Sequence, residues 1–338
     1  MTFPCCPGAD SGRRAPAWHG RIAMSLGLLA CLPPAWAQQP KYPARTVRMI
    51  IPFSPGGATD VPGRIISQKL GDALGQQVIV DNRPGAGGTI GTEQAAKAPP
   101  DGHTLLLTAT PHAISAGLHP KLPYDPVLDF APIMQVGSGP NVLAIHPSLP
   151  AKSVTQLVAL ARARPGTIDY ASSGNGSAQH LFGALFLSMA GVQMTHIPYK
   201  GSAQATTDLI AGQVSVGFPG IAIALPHSRA GRLRALAVTS GQRSKVMPEV
   251  PTINEAGVGG YEATLWLGLL APRGTPPEIV NRLYNEVSLL LKSPEVEASF
   301  LATGTDVTLT SPERFAAFLR EEVKKWSTVT RALGKDAQ

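Results

Sequence analysis

Two glycine-rich stretches carry the residue types best suited to binding a small anion. The first, PFSPGGATD at residues 52–60, follows the apolar run VRMII. It has no lysine and no G-x-G-x-x-G spacing, so it is neither a nucleotide P-loop nor a dinucleotide fingerprint. Unpaired amides at a helix start form an anion site, and the glycines let a ligand approach the backbone. Thr59 adds a hydroxyl, while Asp60 caps the helix, braces the loop or accepts from a ligand hydroxyl.

The second stretch, ASSGNGSAQH at residues 171–180, repeats this arrangement. Gly174 and Gly176 precede Ser177 at a predicted helix start, and His180 follows one turn later. Neither stretch contains Lys or Arg, so two such loops facing one crevice suit a small carboxylate held by amides and hydroxyls. A third glycine-rich loop, NRPGAGGTIG at residues 82–91, either lines the same crevice or only supports the first loop.

Residues for catalysis or metal binding are sparse. The sequence has no G-x-S-x-G elbow, and Ser177 and His180 share one helix start without a third orienting group. Seven of the eight histidines lie beyond residue 37 at loose spacings, without an H-E-x-x-H motif. We therefore predict no enzyme activity, no metal site and no cofactor.

Composition and charge narrow the function classes further. The chain has 338 residues, of which 43% are hydrophobic and 15% charged, as in a globular protein with an ample core. The net charge of +7 favours an anionic ligand, but no Lys/Arg cluster is dense enough to follow a phosphate backbone. The sequence therefore predicts no binding of nucleic acid.

The first 37 residues have the pattern of a secretory signal. Three arginines (Arg13, Arg14 and Arg21) precede a short apolar stretch and a small-x-small site, AWA at residues 35–37, which predicts cleavage before Gln38. An alternative reads LLAC at residues 28–31 as a lipoprotein site, with Cys31 lipidated. The signal predicts export to the periplasm. The chain has three cysteines, all in this segment, so a protein cleaved before Gln38 would have no disulfide.

Strands and helices alternate along the mature chain. Apolar runs such as MII, VIV and LLL predict strands buried on both faces, as in a parallel sheet covered by helices. A second α/β unit begins near Asn141, where Ser153 and Gln156 predict a capping box. Later, EATLWLGLLAP at residues 262–272 predicts a long strand, and Thr275 with Glu278 predicts another capping box.

This order predicts two domains and a hinge. Residues 1–37 form the signal, residues 41–140 with 265–338 form domain one, and residues 141–264 form domain two. Amphipathic helices near the C-terminus, one with Phe315 and Trp326 on its apolar face, are expected to cover the sheet of domain one. Strands near 141–146 and 264–270 would cross between the domains, and two crossings act as a hinge.

Seven segments carry a resemblance to a known family. They read YPARTVRMIIPFSPGGATD, VIVDNRPGAGGTIGTEQAAKAPPDGHTLL, LPYDPVLDFAPI, PNVLAIHPSLPAKSV, HIPYKGSAQATTDLIAGQV, ALPHSRAGRLRALAVTS and GLLAPRGTP. Through them the chain resembles the Bug family of bacterial periplasmic solute receptors, the substrate-binding proteins of tripartite tricarboxylate transporters. The resemblance implies an α/β, two-domain Venus-flytrap fold that closes on a small carboxylate or dicarboxylate and delivers it to membrane subunits.

The resemblance also implies a set of ligand-binding residues. In the first loop and the second loop these are Phe53, Ser54, Gly57, Ala58, Thr59, Asp60, Ser173, Gly174, Asn175, Gly176, Ser177 and His180. The PYKG turn, with Tyr199, and the loop after the strand VSVGF, with Phe218, are expected to close the far side.

One departure from the family pattern concerns the ligand. Many members have an Asp directly after the Phe of that last loop, where this chain has Pro219 and Gly220. The missing carboxylate disfavours an acidic amino acid and favours a plain carboxylate, with aromatic acids among the candidates.

We expect the protein to be a monomer. The same ligand-closed state would also serve an alternative function, that of a receptor that signals ligand occupancy to a membrane sensor.

Overall fold

The computed structural model describes residues 42–119 and 121–334. The predicted signal segment, with all three cysteines, lies outside these residues. Within them, no helix is both long and apolar enough to cross a membrane.

The described chain alternates strands and helices as the sequence predicts. In order the elements are β1 (Val47–Ile51), α1 (Asp60–Leu74), β2 (Val78–Asn82), a short 3-10 turn (Ala86–Gly88), α2 (Thr89–Ala96), β3 (Thr104–Ala109), α3 (Pro111–Leu118), β4 (Phe130–Pro140), β5 (Val142–Ile145), α4 (Val154–Ala163), β6 (Asp169–Ser172), α5 (Ala178–Ala190), β7 (Thr195–Pro198), α6 (Ser202–Ile210), β8 (Val216–Gly217), α7 (Ile221–Arg229), β9 (Arg234–Val238), β10 (Thr264–Pro272), α8 (Pro277–Leu291), α9 (Pro294–Ala302), β11 (Asp306–Val307) and α10 (Pro312–Leu333).

The first sheet has six strands in the order β11-β4-β10-β3-β1-β2. Strand β1 pairs in parallel with β2 and β3, so the loops after β1 and β2 and the start of α3 meet at one edge of the sheet. Strand β10 is antiparallel to both β3 and β4. Strand β10 enters the sheet from the opposite direction after the chain leaves domain two, whereas the strands that contain MII, VIV and LLL are parallel as predicted.

Both faces of the first sheet are covered, which explains its continuous apolar runs. Met49 and Leu107 face one core with helices α1, α8 and α9. Ile50 and Leu106 face the other core, where Phe315 and Trp326 of α10 pack. The prediction that the C-terminal helices cover this sheet is confirmed, because their apolar stripes need a buried surface.

The second sheet has five strands in the order β7-β6-β8-β5-β9. Strand β6 is parallel to β7 and β8, while β5 is antiparallel to β8 and β9. The strand that arrives from the first sheet is again the antiparallel one. The parallel strands β6, β7 and β8 are connected by helices α5 and α6, as parallel pairing requires.

Two chain segments join the sheets, and Thr239 binds both of them. The hydroxyl of Thr239 accepts from the amide of Asn141 (2.9 Å), between β4 and β5. Its amide donates to the Asn141 carbonyl, and its carbonyl accepts from the amide of Ala263, just before β10. The fold is a two-domain α/β fold with two crossing strands, in which the exact domain limits of 140/141 and 264/265 stay a prediction.

One of the two predicted capping boxes has the wrong geometry. The Ser153 hydroxyl accepts from the amide of Gln156 (3.2 Å) and caps α4 as predicted. Helix α8 instead begins after Pro276 without a side-chain cap, because the Thr275 hydroxyl donates to the carbonyl of Pro272 (2.8 Å). The Thr275 hydroxyl thus stabilises the preceding turn and does not cap α8.

Candidate functional site

The first glycine loop joins β1 to α1 and is braced by Asp60. This carboxylate is 2% exposed and accepts from the amide of Gly56 (2.9 Å) and from Nε of Arg64 (2.8 Å). Its other oxygen accepts from Nδ2 of Asn82 (2.9 Å), at the end of β2. Of the three roles open to Asp60 from sequence, the structure shows the bracing role.

These contacts also set the electrostatics of the loop. Burial alone would raise the pKa of Asp60, but the hydrogen bonds from Arg64, Gly56 and Asn82 and the Arg64 charge outweigh it and hold the pKa below its ordinary value. Asp60 is therefore a carboxylate already engaged within the protein at neutral pH.

The rest of the first loop leaves backbone donors unused. Ser54 and Ala58 are exposed, whereas Thr59 is 5% exposed and its hydroxyl makes no capping bond. Among the described residues, no protein group accepts from the amides of Gly57, Ala58 and Thr59. Three neighbouring free amides at the N-terminus of α1 are the type of donor that binds an anion.

Phe53 connects the first loop to the third. Its carbonyl accepts from Nδ2 of Asn82 (3.0 Å). Its ring lies against Gly88, where an added Cβ would come within 3.1 Å of ring atom Cε1. The first loop and the third loop therefore form one surface of domain one.

The second glycine loop joins β6 to α5 and is held by two serines. Ser177 is the N-cap of α5, and its hydroxyl accepts from the amide of His180 (3.2 Å). The Ser172 hydroxyl accepts from the amide of Gly174 (3.1 Å). No acceptor within the described chain is bonded to the amides of Ser173 and Asn175, which therefore remain donors for a ligand.

His180 lies beneath the second loop. It is 1% exposed, and its Nδ1 accepts from the amide of Gly176 (3.1 Å). Its ring stacks on that of His196 at 4.0 Å, and Oγ of Ser172 lies 2.7 Å from Nε2 of His196. Burial, together with the neighbouring His180, lowers the pKa of His196 to about 4, so His196 is uncharged at neutral pH.

A cavity of about 430 Å³ opens between the two domains. Domain two contributes Asn175 and Gly176 of the second loop. Domain one contributes the third loop and one face of α3. The lining residues are Ala86, Gly87, Pro111, Ser115, Leu118, His119, Asn175 and Gly176. The third loop thus lines the crevice, which was one of its two predicted roles.

The face of α3 is the part of this cavity that sequence reasoning missed. Pro111, Ser115 and Leu118 lie on one side of the helix, and a Cβ on Gly176 would come within 2.9 Å of Cδ1 of Leu118. One signal was available. Helix α3 follows β3, whose carboxyl end meets those of β1 and β2 at the sheet edge where ligands bind in such folds.

Of the predicted site residues, Asn175 and Gly176 line this cavity and the others do not, among them Tyr199 and Phe218. Tyr199 is half-buried, and burial together with its bond to Asp208 raises its pKa to about 12. Phe218 is 2% exposed and packs against Tyr170 and Phe186, while its carbonyl accepts from Nδ2 of Asn141 (2.5 Å). Tyr199 lies beside the second loop, where a Cβ on Gly174 would come within 3.1 Å of its carbonyl oxygen, and Phe218 lies next to the crossing at Asn141.

The chemistry of the cavity lining is neutral. It presents glycines, one amide, one hydroxyl, apolar groups and His119, and none of its residues is Lys, Arg, Asp or Glu. Across the described residues, no group of three His, Cys, Asp or Glu side chains could hold a metal ion. Such a surface can bind a small carboxylate by backbone amides and pack its apolar portion.

Comparison with protein-family models finds one match that spans most of the chain. The model described as the tripartite tricarboxylate transporter family receptor matches residues 63–335. This range begins within α1 and includes the second and third loops, all of the cavity lining and both crossing strands.

Known relatives agree with this match along nearly their whole length. Protein BugT of Bordetella pertussis is 41% identical over 87% of this chain and 90% of its own. The structure of R. palustris Rpa4515 with adipate has a TM-score of 0.80 at 37% identity and covers 87% of this chain and 98% of its own. The structure of MatC from Rhodopseudomonas palustris with bound malate has a TM-score of 0.78 at 33% identity, with 86% and 100% covered.

Proposed function

Because this chain belongs to the tripartite tricarboxylate transporter receptor family, we propose that it binds a small carboxylate or dicarboxylate metabolite between its domains and delivers it to the membrane subunits of such a transporter. The family and its structural relatives are solute-binding receptors and not enzymes. The proposal therefore concerns which solute binds, by which residues, and to which partner it passes.

The observation that carries the proposal is a cavity with walls from both domains. Asn175 and Gly176 face the third loop and α3 across it. Free amides of the first loop, at residues 57–59, lie next to the third loop through Phe53. Closure of the domains would bring both sets of donors onto one carboxylate, and such prearranged donors lose little entropy on binding.

The remaining predicted site residues of the two loops either contact the ligand or hold the loops in shape in this proposal. Ser54, Ala58 and Thr59 contact the ligand from domain one, and Ser173, Gly174 and Ser177 contact it from domain two. Asp60 and His180 fix the shapes of the two loops through the amides of Gly56 and Gly176.

The relatives and one local substitution guide the choice of ligand. Relatives have been solved with adipate and with malate, both of them dicarboxylates. The chain has Pro219 where many family members have Asp, so it lacks the usual partner of a ligand amine. We therefore expect carboxylates without an amino group, and an affinity for glutamate well above that for such acids would contradict this expectation.

The first experiment is native mass spectrometry of the exported protein, purified from the periplasmic fraction without dialysis. A thermal-shift panel of carboxylates, including adipate, malate and aromatic acids, follows. A bound acid that also raises the melting temperature would identify the ligand class, because a ligand that binds only the folded state stabilises it. If no acid in a broad panel stabilises the protein, the proposal that it binds a carboxylate is wrong.

A second candidate function is a sensor that reports ligand occupancy to a membrane signalling partner. Both functions use the same ligand-closed monomer in the periplasm. Pull-down of the ligand-loaded protein with detergent-solubilised membrane proteins distinguishes them. Recovery of transporter membrane subunits supports delivery, and recovery of a sensor kinase or other signalling protein supports the alternative.

A further inference from the structure

Helix α10 links the two domains behind the cavity. It packs against α3 and β4 on the side of domain one and against α5 on the side of domain two. Its approach to α3 is close at Gly117, where an added Cβ would come within 2.0 Å of Oγ1 of Thr330. Phe182 of α5 stacks on Trp326 of α10 at 5.8 Å between ring centroids. The crossing strands are therefore not the sole connection between the domains.

One buried carboxylate, Glu322, holds this link together. Its Oε2 accepts from Nε1 of Trp266 on β10 (2.9 Å) and from Nε1 of Trp326 (3.0 Å). Glu322 is 8% exposed, and its other oxygen lies 3.4 Å from Nζ of Lys325. Glu322 thus joins a crossing strand to the tryptophan that packs on domain two.

Both cavity walls are connected to this carboxylate by short chains of contacts. The amide of Trp266 donates to Oγ1 of Thr110 (3.0 Å), the residue directly before α3. Helix α3 carries the cavity wall of domain one. On the other side, Phe182 lies in the first turns of α5, directly after the second loop, and its carbonyl accepts from the Tyr261 hydroxyl (3.0 Å).

Stability alone gives little reason for a carboxylate at this position. Burying a carboxylate carries a desolvation cost even beside a lysine such as Lys325, and well-packed apolar side chains are often as stable in place of a buried ion pair. Two indole donors on one oxygen do, however, define a single geometry for β10, α10 and the Phe182 contact. The contacts of Glu322 therefore point to control of geometry.

We propose that Glu322 is a positioning residue for ligand binding, which sets the angle between the α3 wall and the second loop and limits the range of openings of the ligand-free receptor. This inference rests on the proposed closure of the domains around a ligand. A wider range of openings lowers the population of the binding-competent state and therefore weakens the apparent affinity, although Glu322 does not touch the ligand.

The tryptophans provide an internal probe of this link. The sequence has four, and Trp18 and Trp36 lie in the segment predicted to be removed on export. Once that segment is cleaved, the tryptophan fluorescence of the protein comes from Trp266 and Trp326, whose indoles both donate a hydrogen bond to Glu322. Ligand binding in the cavity is expected to change this emission in the wild type.

The decisive experiment measures the opening of the ligand-free receptor. The three cysteines all lie in the segment predicted to be removed, so spin labels can be placed at Leu128→Cys in domain one and Gln204→Cys in domain two. Both positions are exposed. Glu322→Leu is expected to broaden the distance distribution, whereas Glu322→Gln, which keeps an oxygen for both indoles, should retain the wild-type width.

A control variant separates positioning from lost stability. Leu291→Ala creates a cavity in the other core of domain one, far along the chain from Glu322. It should lower the melting temperature and leave the distance distribution unchanged. The proposal is overturned if Glu322→Leu keeps the wild-type width, or if Leu291→Ala broadens it equally. If Glu322→Leu does not fold, Trp266→Phe, which loses only one indole donor, tests the same point.

Ligand affinity provides the second readout, with adipate as the probe. Glu322→Leu should weaken adipate binding about fivefold or more, a typical coupling between distant positions, and Glu322→Gln should rescue it. An unchanged affinity in Glu322→Leu would also overturn the proposal. If adipate does not bind the wild type, adipate is excluded as its ligand, and the ligand-free distances still decide the role of Glu322.

Discussion

At the scale of single residues, the binding loops are shaped by groups that face inward. Asp60 and His180 each occupy a backbone amide of a glycine loop from below, which leaves neighbouring amides free on the outer side. Buried polar groups that are fully hydrogen-bonded specify one conformation, because any alternative leaves a donor or acceptor unpaired. The two residues therefore act on the ligand through the shape of the backbone.

The first prediction concerns Asp60. Asp60→Ala removes the acceptor of the Gly56 amide, of Nε of Arg64 and of one of the two Nδ2 bonds of Asn82, and we expect a loss of about 1–3 kcal/mol of unfolding free energy. Since the pKa of Asp60 is lowered in the folded state, its contribution is present above the unfolded pKa of about 3.9 and is lost as the pH falls below it. Denaturant unfolding between pH 7 and 3 should show the two proteins converging at acid pH, and a constant difference would contradict this.

The second prediction concerns the contact of the second loop with α3. Gly176 has φ +72°, and a Cβ there would come within 2.9 Å of Leu118, so Gly176→Ala should strain the loop and crowd the cavity. Isothermal titration with the acid found in the panel should show binding weakened about tenfold or more, the equivalent of 1.4 kcal/mol.

Gly166 provides a matched control for this substitution. It has the same φ of +72° in the same domain, but a Cβ there would meet no atom within 4 Å. Gly166→Ala should therefore lower the stability of the domain by a similar amount, through the same backbone strain, and bind ligand with the affinity of the wild type. If both variants lose the same affinity, the weaker binding results from lower stability of the domain and not from crowding of the cavity.

At the scale of elements, the cavity is assembled where three strand ends and one helix start meet. Helix α1 follows β1 after the first loop, α3 follows β3 after one residue, and α5 follows β6 after the second loop. The N-termini of helices point their free amides toward the ligand side of such sheets. An anion bound there needs no lysine or arginine, which explains how a neutral cavity lining can hold a carboxylate.

The third prediction tests the helix start at the second loop. Ser177→Ala removes the N-cap of α5 and one hydroxyl near the cavity, while Ser153→Ala removes the equivalent cap of α4. The capping bonds are both 3.2 Å long. Each change should cost about 1 kcal/mol of stability, measured by denaturant unfolding. We expect Ser177→Ala alone to weaken ligand binding, and equal binding by the two variants would exclude a ligand contact from Ser177.

At the scale of the whole molecule, two features tie the domains together. Thr239 bonds to both crossing segments at the border, and α10 spans the domains behind the cavity. A hinge restricted on two sides favours a defined closing movement over free rotation. We expect small-angle scattering to show a smaller radius of gyration with ligand than without it.

The fourth prediction concerns export. The mature protein should begin at Gln38, because AWA at residues 35–37 matches a signal-peptidase site. Intact-mass measurement of protein from the periplasmic fraction checks this directly. A product that begins at a lipidated Cys31, extracted only with detergent, would support the lipoprotein alternative and contradict cleavage before Gln38.

The sequence by itself determined the local features of this protein. Apolar runs and helical periodicity predicted the order of strands and helices, and Ser153 and Ser177 marked helix starts, because these signals depend on residues only a few positions apart. The same local reading identified the glycine loops and the family resemblance. It was wrong about Thr275, whose hydroxyl donates to the carbonyl of Pro272 in the preceding turn and does not cap α8.

Only the tertiary structure decided which distant segments meet. The antiparallel entry of β5 and β10, the α3 wall opposite Gly176, and the shared bonds of Trp266 and Trp326 to Glu322 all join residues far apart in the chain. Trp266 and Glu322 are 56 positions apart. Such contacts form because burial of the apolar faces brings those elements together, and no spacing along the sequence encodes that choice.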